Sequence, residues 1–227
     1  YVSMSFNQIL KEEIILHSGL GFINCHAGAL PFYRGRNPLN WVLINGESHF
    51  GITVHYVDKG IDTGDIVEQR LYPIKLSDNY RSLLDLAVVQ CAEVLFSALC
   101  KIESGSQSRV KQTDMHPVGT YFGMRTHGDE KIDFTWTAKR FFDFVRALSN
   151  PGPGSRFTML GEEYAIESSS LIHDAPSYVA TIGEVVGRND SGVVVKVGDS
   201  TILITRVRAL DSPDAYIPRF KIGTRLT

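Results

Sequence analysis

Apolar residues gather in short dense runs along the first part of the chain. Phe22-Ile23, the β-branched and aromatic run Gly51 to Val57, and Ile66 to Ile74 each read as a strand. The periodicity then changes. From Asn79 to Glu103, Leu84, Val88, Cys91, Leu95, Ala98 and Ile102 recur at three- and four-residue steps behind a Ser77-Asp78-Asn79 cap cluster, which predicts a long helix with that face inward. A shorter helix starts at Asn37-Pro38, where proline suits the first turn, and runs through Trp41 and Leu43 to Gly46. Strands mixed with helices place residues 1–104 in the α/β class.

Residues 105–121 turn polar, from Ser106-Gln107-Ser108 to Pro117-Val118-Gly119, and read as a linker. Residues 122–227 open a second domain. Thr137 to Leu148 predicts a helix with Phe141, Phe142, Val145 and Leu148 inward, ended by Asn150-Pro151-Gly152-Pro153-Gly154. Short strands follow over Phe157–Leu160, Tyr164–Glu167, Ala180–Val186, Val193–Val197 and Ile202–Val207, and five strands after a helix point to a small β-barrel.

With 227 residues, 43% apolar and 21% charged, the composition is that of two ordinary globular domains. No uninterrupted apolar run of about 18 residues occurs, so no membrane span is expected. No secretory signal is recognisable. Cys25, Cys91 and Cys100 are odd in number and lack metal-ligand or disulfide spacing, which points to a reducing compartment, by default the cytoplasm, and to no metal. Lys and Arg total 23 against 25 Asp and Glu, a net charge of −2, so no basic footprint for a polyanion stands out.

The candidate chemistry lies in Asn24, His26 and Asp62. On an extended segment Asn24 and His26 project to the same side and Cys25 to the other, at a strand end where open α/β sheets place ligands. Asp62 sits in the loop Asp58 to Gly64 that follows the next strand. An amide that donates to a developing oxyanion, an imidazole that moves a proton and a carboxylate that orients the imidazole are the parts of an acyl-transfer site. Whether His26 donates to the oxyanion or shuttles the proton stays open. Asp62 beside it is expected to raise the imidazole's pKa. His55 reads as a satisfied strand residue without a role, as do His17, His49, His116, His127 and His173, and Gly19-Leu20-Gly21 lacks the pattern of a phosphate loop.

The runs N-C-H-x-G-x-L-P-x-Y-R-G, from Asn24 to Gly35, and G-I-D-T-G-D-I, from Gly60 to Ile66, resemble those of the folate-dependent formyltransferases. Their Asn, His and Asp fall on Asn24, His26 and Asp62. The resemblance implies a Rossmann-like catalytic half, the earlier part of which would begin roughly 75 to 80 residues before Tyr1. Phe144 to Gly154 (F-V-R-A-L-S-N-P-x-P-G) and the closing K-I-G-T-R-L are similar to the family's C-terminal OB-like barrel, which argues against the members that lack it. It implies 10-formyltetrahydrofolate as formyl donor, held by Gln8, Ile9, Leu10, Arg36 and the loop Asp58, Lys59, Gly60, Ile61 and Asp62. The segment Arg34 to Glu47 resembles that of the family's sugar-nucleotide members, which together with the balanced charge implies a nucleotide-linked 4-amino sugar as acceptor, as in lipopolysaccharide biosynthesis. Methionyl-tRNA is the alternative, and a non-catalytic folate- or nucleotide-sugar-binding relative the second; a homodimer is a further implication. One departure is Gly28, where many members carry serine; a turn that tolerates glycine would leave the triad intact and alter substrate or water contacts.

Overall fold

The computed structural model describes residues 1–4, 8 and 10–227. In chain order the elements are β1 (Val2–Met4), α1 (Glu12–Leu16), β2 (Ile23–His26), β3 (Arg34–Gly35), α2 (Pro38–Ile44), β4 (His49–Tyr56), β5 (Ile66–Pro73), α3 (Tyr80–Glu103), α4 (Gln112–Met115), β6 (Tyr121–Phe122), α5 (Ala138–Leu148), β7 (Ser155–Met159), β8 (Glu162–Leu171), β9 (Val185–Asn189), β10 (Gly192–Lys196) and β11 (Thr201–Ala209). The chain divides into two compact units. One comprises Tyr1–Val42, Glu47–Ser77 and Ser82–Met124, the other Leu43–Gly46, Asp78–Arg81 and Arg125–Thr227.

The first unit is built on a mixed sheet in the order β1-β2-β4-β5, parallel between β1 and β2 and antiparallel elsewhere. Strand β4 is buried at every position after His49, because it is paired on both sides and covered on both faces. Its Thr53 hydroxyl donates to the Gly28 carbonyl (2.7 Å) and accepts from the Leu30 N–H (3.3 Å), which fixes the turn after β2. Gly51 lets Ala29 lie against the strand, since a Cβ there would meet the Ala29 Cβ at 2.6 Å. The polar segment read as a linker is ordered within this unit: Val110 pairs with Ile66, Gln112 opens α4, and β6 pairs parallel with β3.

Helix α3 spans the expected residues, but its inward face is Leu83, Ala87, Cys91, Val94 and Ala98 rather than the one read from Leu84, Val88 and Leu95. The helix is apolar nearly all round, so two stripes at helical spacing compete and the sequence alone does not separate them. Val88, Val89 and Phe96 are exposed. The same composition corrects the expectation about apolar length: α3 is long and apolar enough to cross a bilayer, with a mean hydropathy of 1.9. Charged residues such as Asp85, Glu93 and Lys101 interrupt its apolar run. Its Cys91 carbonyl lies 3.7 Å from the Cys25 sulfur, on the face of β2 opposite His26.

In the second unit, α5 is capped by the Thr137 hydroxyl, which accepts from the Arg140 N–H. Phe141, Phe144, Val145 and Leu148 are buried, while Phe142 is half-buried beneath the Arg146 guanidinium. The sheet order is β7-β8-β11-β10-β9, antiparallel throughout. Its strands do not close on themselves, so the continuous barrel expected from the sequence is not formed by this ladder. Instead the segment 224–227 bonds to both edges. Thr227 exchanges backbone hydrogen bonds with Thr158 of β7, while the Val185 N–H of β9 donates to the Thr224 carbonyl and the Leu226 N–H to Gly183. Strand β9 begins at Val185, because residues 180–184 turn through Gly183 at φ +76° rather than extend as expected from Ala180.

Leu226, 2% exposed, anchors this tail. Leu226→Ala is expected to destabilise the protein by about 2–5 kcal/mol, measured by urea unfolding, because it empties a buried site that also holds two sheet edges together.

Candidate active site

Asn24 and His26 leave the same face of β2 and converge on Asp62, as period-two alternation requires. The Asn24 Nδ2 lies 3.5 Å from the Asp62 Oδ1, and the His26 Nδ1 lies 3.7 Å from the Oδ2. Asp62 adopts a left-handed backbone (φ 52°), which turns its carboxylate back toward the sheet. The Gly35 N–H donates to its Oδ2 at 2.8 Å.

A fourth group belongs here that sequence reasoning passed over. His55 is the cross-strand partner of Asn24 on β4, is buried, and places its Nε2 3.4 Å from both the Asn24 Nδ2 and the Asp62 Oδ1. Its Nδ1 donates to the Tyr56 carbonyl at 2.8 Å, so the Nε2 accepts from Asn24 when the ring is neutral and donates to Asp62 when the ring is protonated. The available signal was register: once β2 and β4 pair antiparallel, the residue opposite Asn24 must share its face.

The electrostatics follow from burial. Desolvation opposes the charge on Asp62, but the hydrogen bond from His55, the field of His26 and the Gly35 N–H outweigh it, and its pKa falls from 3.8 to about 2. For His26 the balance runs the other way. Burial lowers its pKa, and although the Asp62 charge and the Tyr33 carbonyl push it up, the net direction is down. The expectation that Asp62 raises the His26 pKa is therefore corrected: the carboxylate acts in that direction, and desolvation of a nearly enclosed ring exceeds it.

Gly28 has a role other than the one expected. The His26 Nε2 is 2.7 Å from the Tyr33 carbonyl, and the approach passes over Gly28. A Cβ at Gly28 would sit 2.5 Å from that nitrogen and 2.7 Å from the carbonyl oxygen. The bare glycine is what allows the loop to close on the histidine.

The residues expected to hold folate are distributed unevenly. Asp58, Lys59, Gly60 and Ile61 form an exposed loop leading into Asp62, held by the Asp58 carboxylate, which accepts from the Gly60 N–H and the Thr63 hydroxyl. Arg36 is exposed next to Gly35, its backbone N–H donating to the Phe122 carbonyl. Gln8 is exposed and Leu10 half-buried, and among the described residues neither bonds to the triad; Ile9 lies outside the described residues.

The arrangement sets a polarisable amide and a largely neutral imidazole beside a fixed negative charge, which suits acyl transfer to an amine. Residues 1–99 match the family model described as Formyl transferase, and residues 125–223 match Formyl transferase, C-terminal domain. The chain belongs to the formyltransferase family. Among formyltransferases, it is 33% identical over 222 residues to methionyl-tRNA formyltransferase of Caldanaerobacter subterraneus subsp. tengcongensis, covering 98% of this chain and 70% of that one. WlaRD, a sugar 3N-formyl transferase solved in the presence of dTDP and 5-N-formyl-THF, is 25% identical with a TM-score of 0.69, over 93% of this chain and 72% of that chain. A HypX variant from Aquifex aeolicus shares the fold at 22% identity and TM-score 0.66; this chain spans 36% of its length.

Two outcomes are expected of this site. The folded protein binds fewer protons at Asp62 than the unfolded chain does between pH 3.8 and about 2, so the stability Asp62 contributes is present above that window and lost as pH falls through it. Urea unfolding across that range should show wild type losing roughly 2 kcal/mol that Asp62→Asn does not lose. Gly28→Ala should destabilise by about 1–3 kcal/mol in the same assay at neutral pH, because the new methyl collides with His26 and the Tyr33 carbonyl.

Proposed function

We propose that this protein transfers the formyl group of 10-formyltetrahydrofolate to the amine of a nucleotide-linked amino sugar, with a 4-amino sugar as first choice. The observation that carries the reading is the convergence of Asn24 and His26 on the Asp62 carboxylate. The amine attacks the formyl carbon as a neutral nucleophile, and the carbonyl oxygen takes up negative charge. Asn24 holds its N–H groups at 3.4 and 3.5 Å from His55 and Asp62, long contacts from which they can turn to the oxyanion. As the new C–N bond forms, the amine nitrogen becomes acidic and its proton passes to His26, which its lowered pKa keeps in the neutral, proton-accepting form. The proton then goes to N10 of the folate as the old C–N bond breaks and the oxyanion collapses to the formamide. Within this reading the amine displaces the Tyr33 carbonyl from the His26 Nε2, and the ring proton moves to Nδ1 beside Asp62, which frees the Nε2 lone pair to accept the amine's proton. The folate contacts proposed are Arg36 and the loop Asp58 to Asp62, together with Gln8, Ile9 and Leu10.

A nearly balanced charge supports a small anionic acceptor over a large polyanion. The likeness to WlaRD, with dTDP in its crystals, supports the same choice and brings 3-amino sugars into consideration. The second reading is methionyl-tRNA, favoured by the relative that is 33% identical and carries that name.

The test is 10-formyltetrahydrofolate-dependent formylation of a panel of UDP-, dTDP- and GDP-linked 3- and 4-amino sugars beside methionyl-tRNA, read by mass spectrometry. Formylation of a sugar nucleotide is expected, with His26→Ala slower by about 100- to 10,000-fold. Transfer to methionyl-tRNA alone would replace the first reading with the second.

A further inference from the structure

Gln112 stands in the polar segment that reads as a linker, yet its side chain is buried, with 3% of the residue exposed. A buried amide must satisfy two donors and a carbonyl acceptor. Here every one is used. The Nε2 donates to the Asp62 carbonyl at 2.8 Å and to the Gly64 carbonyl at 2.9 Å. The Oε1 accepts from the Arg34 Nε at 3.0 Å and from its Nη2 at 2.6 Å. Two carbonyls on one end and a guanidinium on the other leave a single orientation for the amide.

These contacts tie together the two loops that meet at the imidazoles. The Asp62 to Gly64 backbone carries the carboxylate in its left-handed conformation, and Arg34 lies between Tyr33, whose carbonyl touches His26, and Gly35, whose N–H touches Asp62. The same stretch of chain holds the second loop again: the Thr120 hydroxyl accepts from the Tyr33 N–H and its carbonyl from the Arg34 N–H, both at 3.0 Å. Gly119 lies so close beneath Arg34 that a Cβ would meet the guanidinium carbon at 2.7 Å and the Pro31 carbonyl at 2.4 Å.

We propose that Gln112 is a positioning residue for formyl transfer: it touches no reacting atom, and its amide sets the distance between the Asp62 carboxylate and the two imidazoles. The catalytic part of this inference rests on the transferase reading, while the positioning part does not. A side chain that merely filled space would be replaceable by one of equal length. Gln112→Met keeps the length and loses all four hydrogen bonds, and Gln112→Glu keeps the acceptor for Arg34 and loses both donors to the loop.

The experiment follows the imidazole resonances of His26 by NMR through a pH titration in wild type, Gln112→Met, Gln112→Glu and Asp62→Asn, beside steady-state kinetics and thermal unfolding. The charged or titratable group facing both rings is Asp62, with each ring also facing the other; the Tyr33 and Tyr56 carbonyls complete their contacts. In folded Gln112 variants the His26 midpoint should move toward that of Asp62→Asn, and kcat should fall at least tenfold with the folate KM within twofold. A wild-type midpoint in a folded variant would overturn the proposal, as would a KM effect alone. Absence of formyl transfer by wild type would sink the transferase reading and leave the midpoint as the test of Gln112. Should both Gln112 variants unfold, Arg34→Met, which removes the partner on the other side of the amide, is expected to move the same midpoint by a smaller amount; no movement there would overturn the proposal.

Discussion

Removing a carboxylate from water costs several kcal/mol unless fixed polar groups take the place of the lost solvation, and at the candidate site it is Asp62 that meets this constraint. Its side chain is 14% exposed and nevertheless remains charged across the physiological range, because the two imidazoles and the Gly35 N–H face it. Each of these groups comes from a different stretch of chain: His26 from β2, His55 from β4, Gly35 from β3. The pairing of β2 with β4 and of β3 with β6 therefore serves the carboxylate as much as the core. A shift of either ladder by one residue would carry a donor to the opposite face.

Much of this was legible in the sequence, for identifiable reasons. Asn24 and His26 could be assigned to one face because strand alternation is strict, and Asp62 could be assigned to a loop because glycine and polar residues crowd around it. Strands β2, β4 and β5 and helices α2, α3 and α5 also lie close to where their apolar patterns put them. His55 could not be assigned a role without knowing which strand lies beside β2. The direction of the His26 shift depends on how completely the ring is enclosed, a property of the packed structure that local sequence does not carry. Gln112 was hidden for a different reason: its neighbours are polar and irregular, and only long-range contacts show that its amide is buried.

The two helical faces make the same point from the apolar side. Helix α5 has one dominant apolar face, and the inward residues expected of it agree with those observed except that Phe144 takes the place of Phe142. Helix α3 carries apolar residues around most of its circumference, so the stripe that packs is chosen by the sheet beneath it. In the second unit the edge strands are matched by chain from far along the sequence, a pairing that no local pattern announces. The apolar pattern identifies the strands, but not the hydrogen bonds that the last residues make to both edges of the open sheet.

Strand β4 is hydrogen-bonded along both sides and buried almost throughout, whereas Asp58 to Ile61 stand in solvent. Local opening free energies in a protein rise with such burial and pairing, so these two neighbours lie toward opposite ends of the range. The imidazole of His55 hangs from the slow end and the carboxylate of Asp62 from the margin of the fast end. The site thus sits on a seam: the amides behind its histidines would exchange their hydrogens among the last in this unit, and those leading into its carboxylate among the first. A ligand that seats itself against the Asp58 to Asp62 loop would be felt mainly as slowed exchange on one side of that seam.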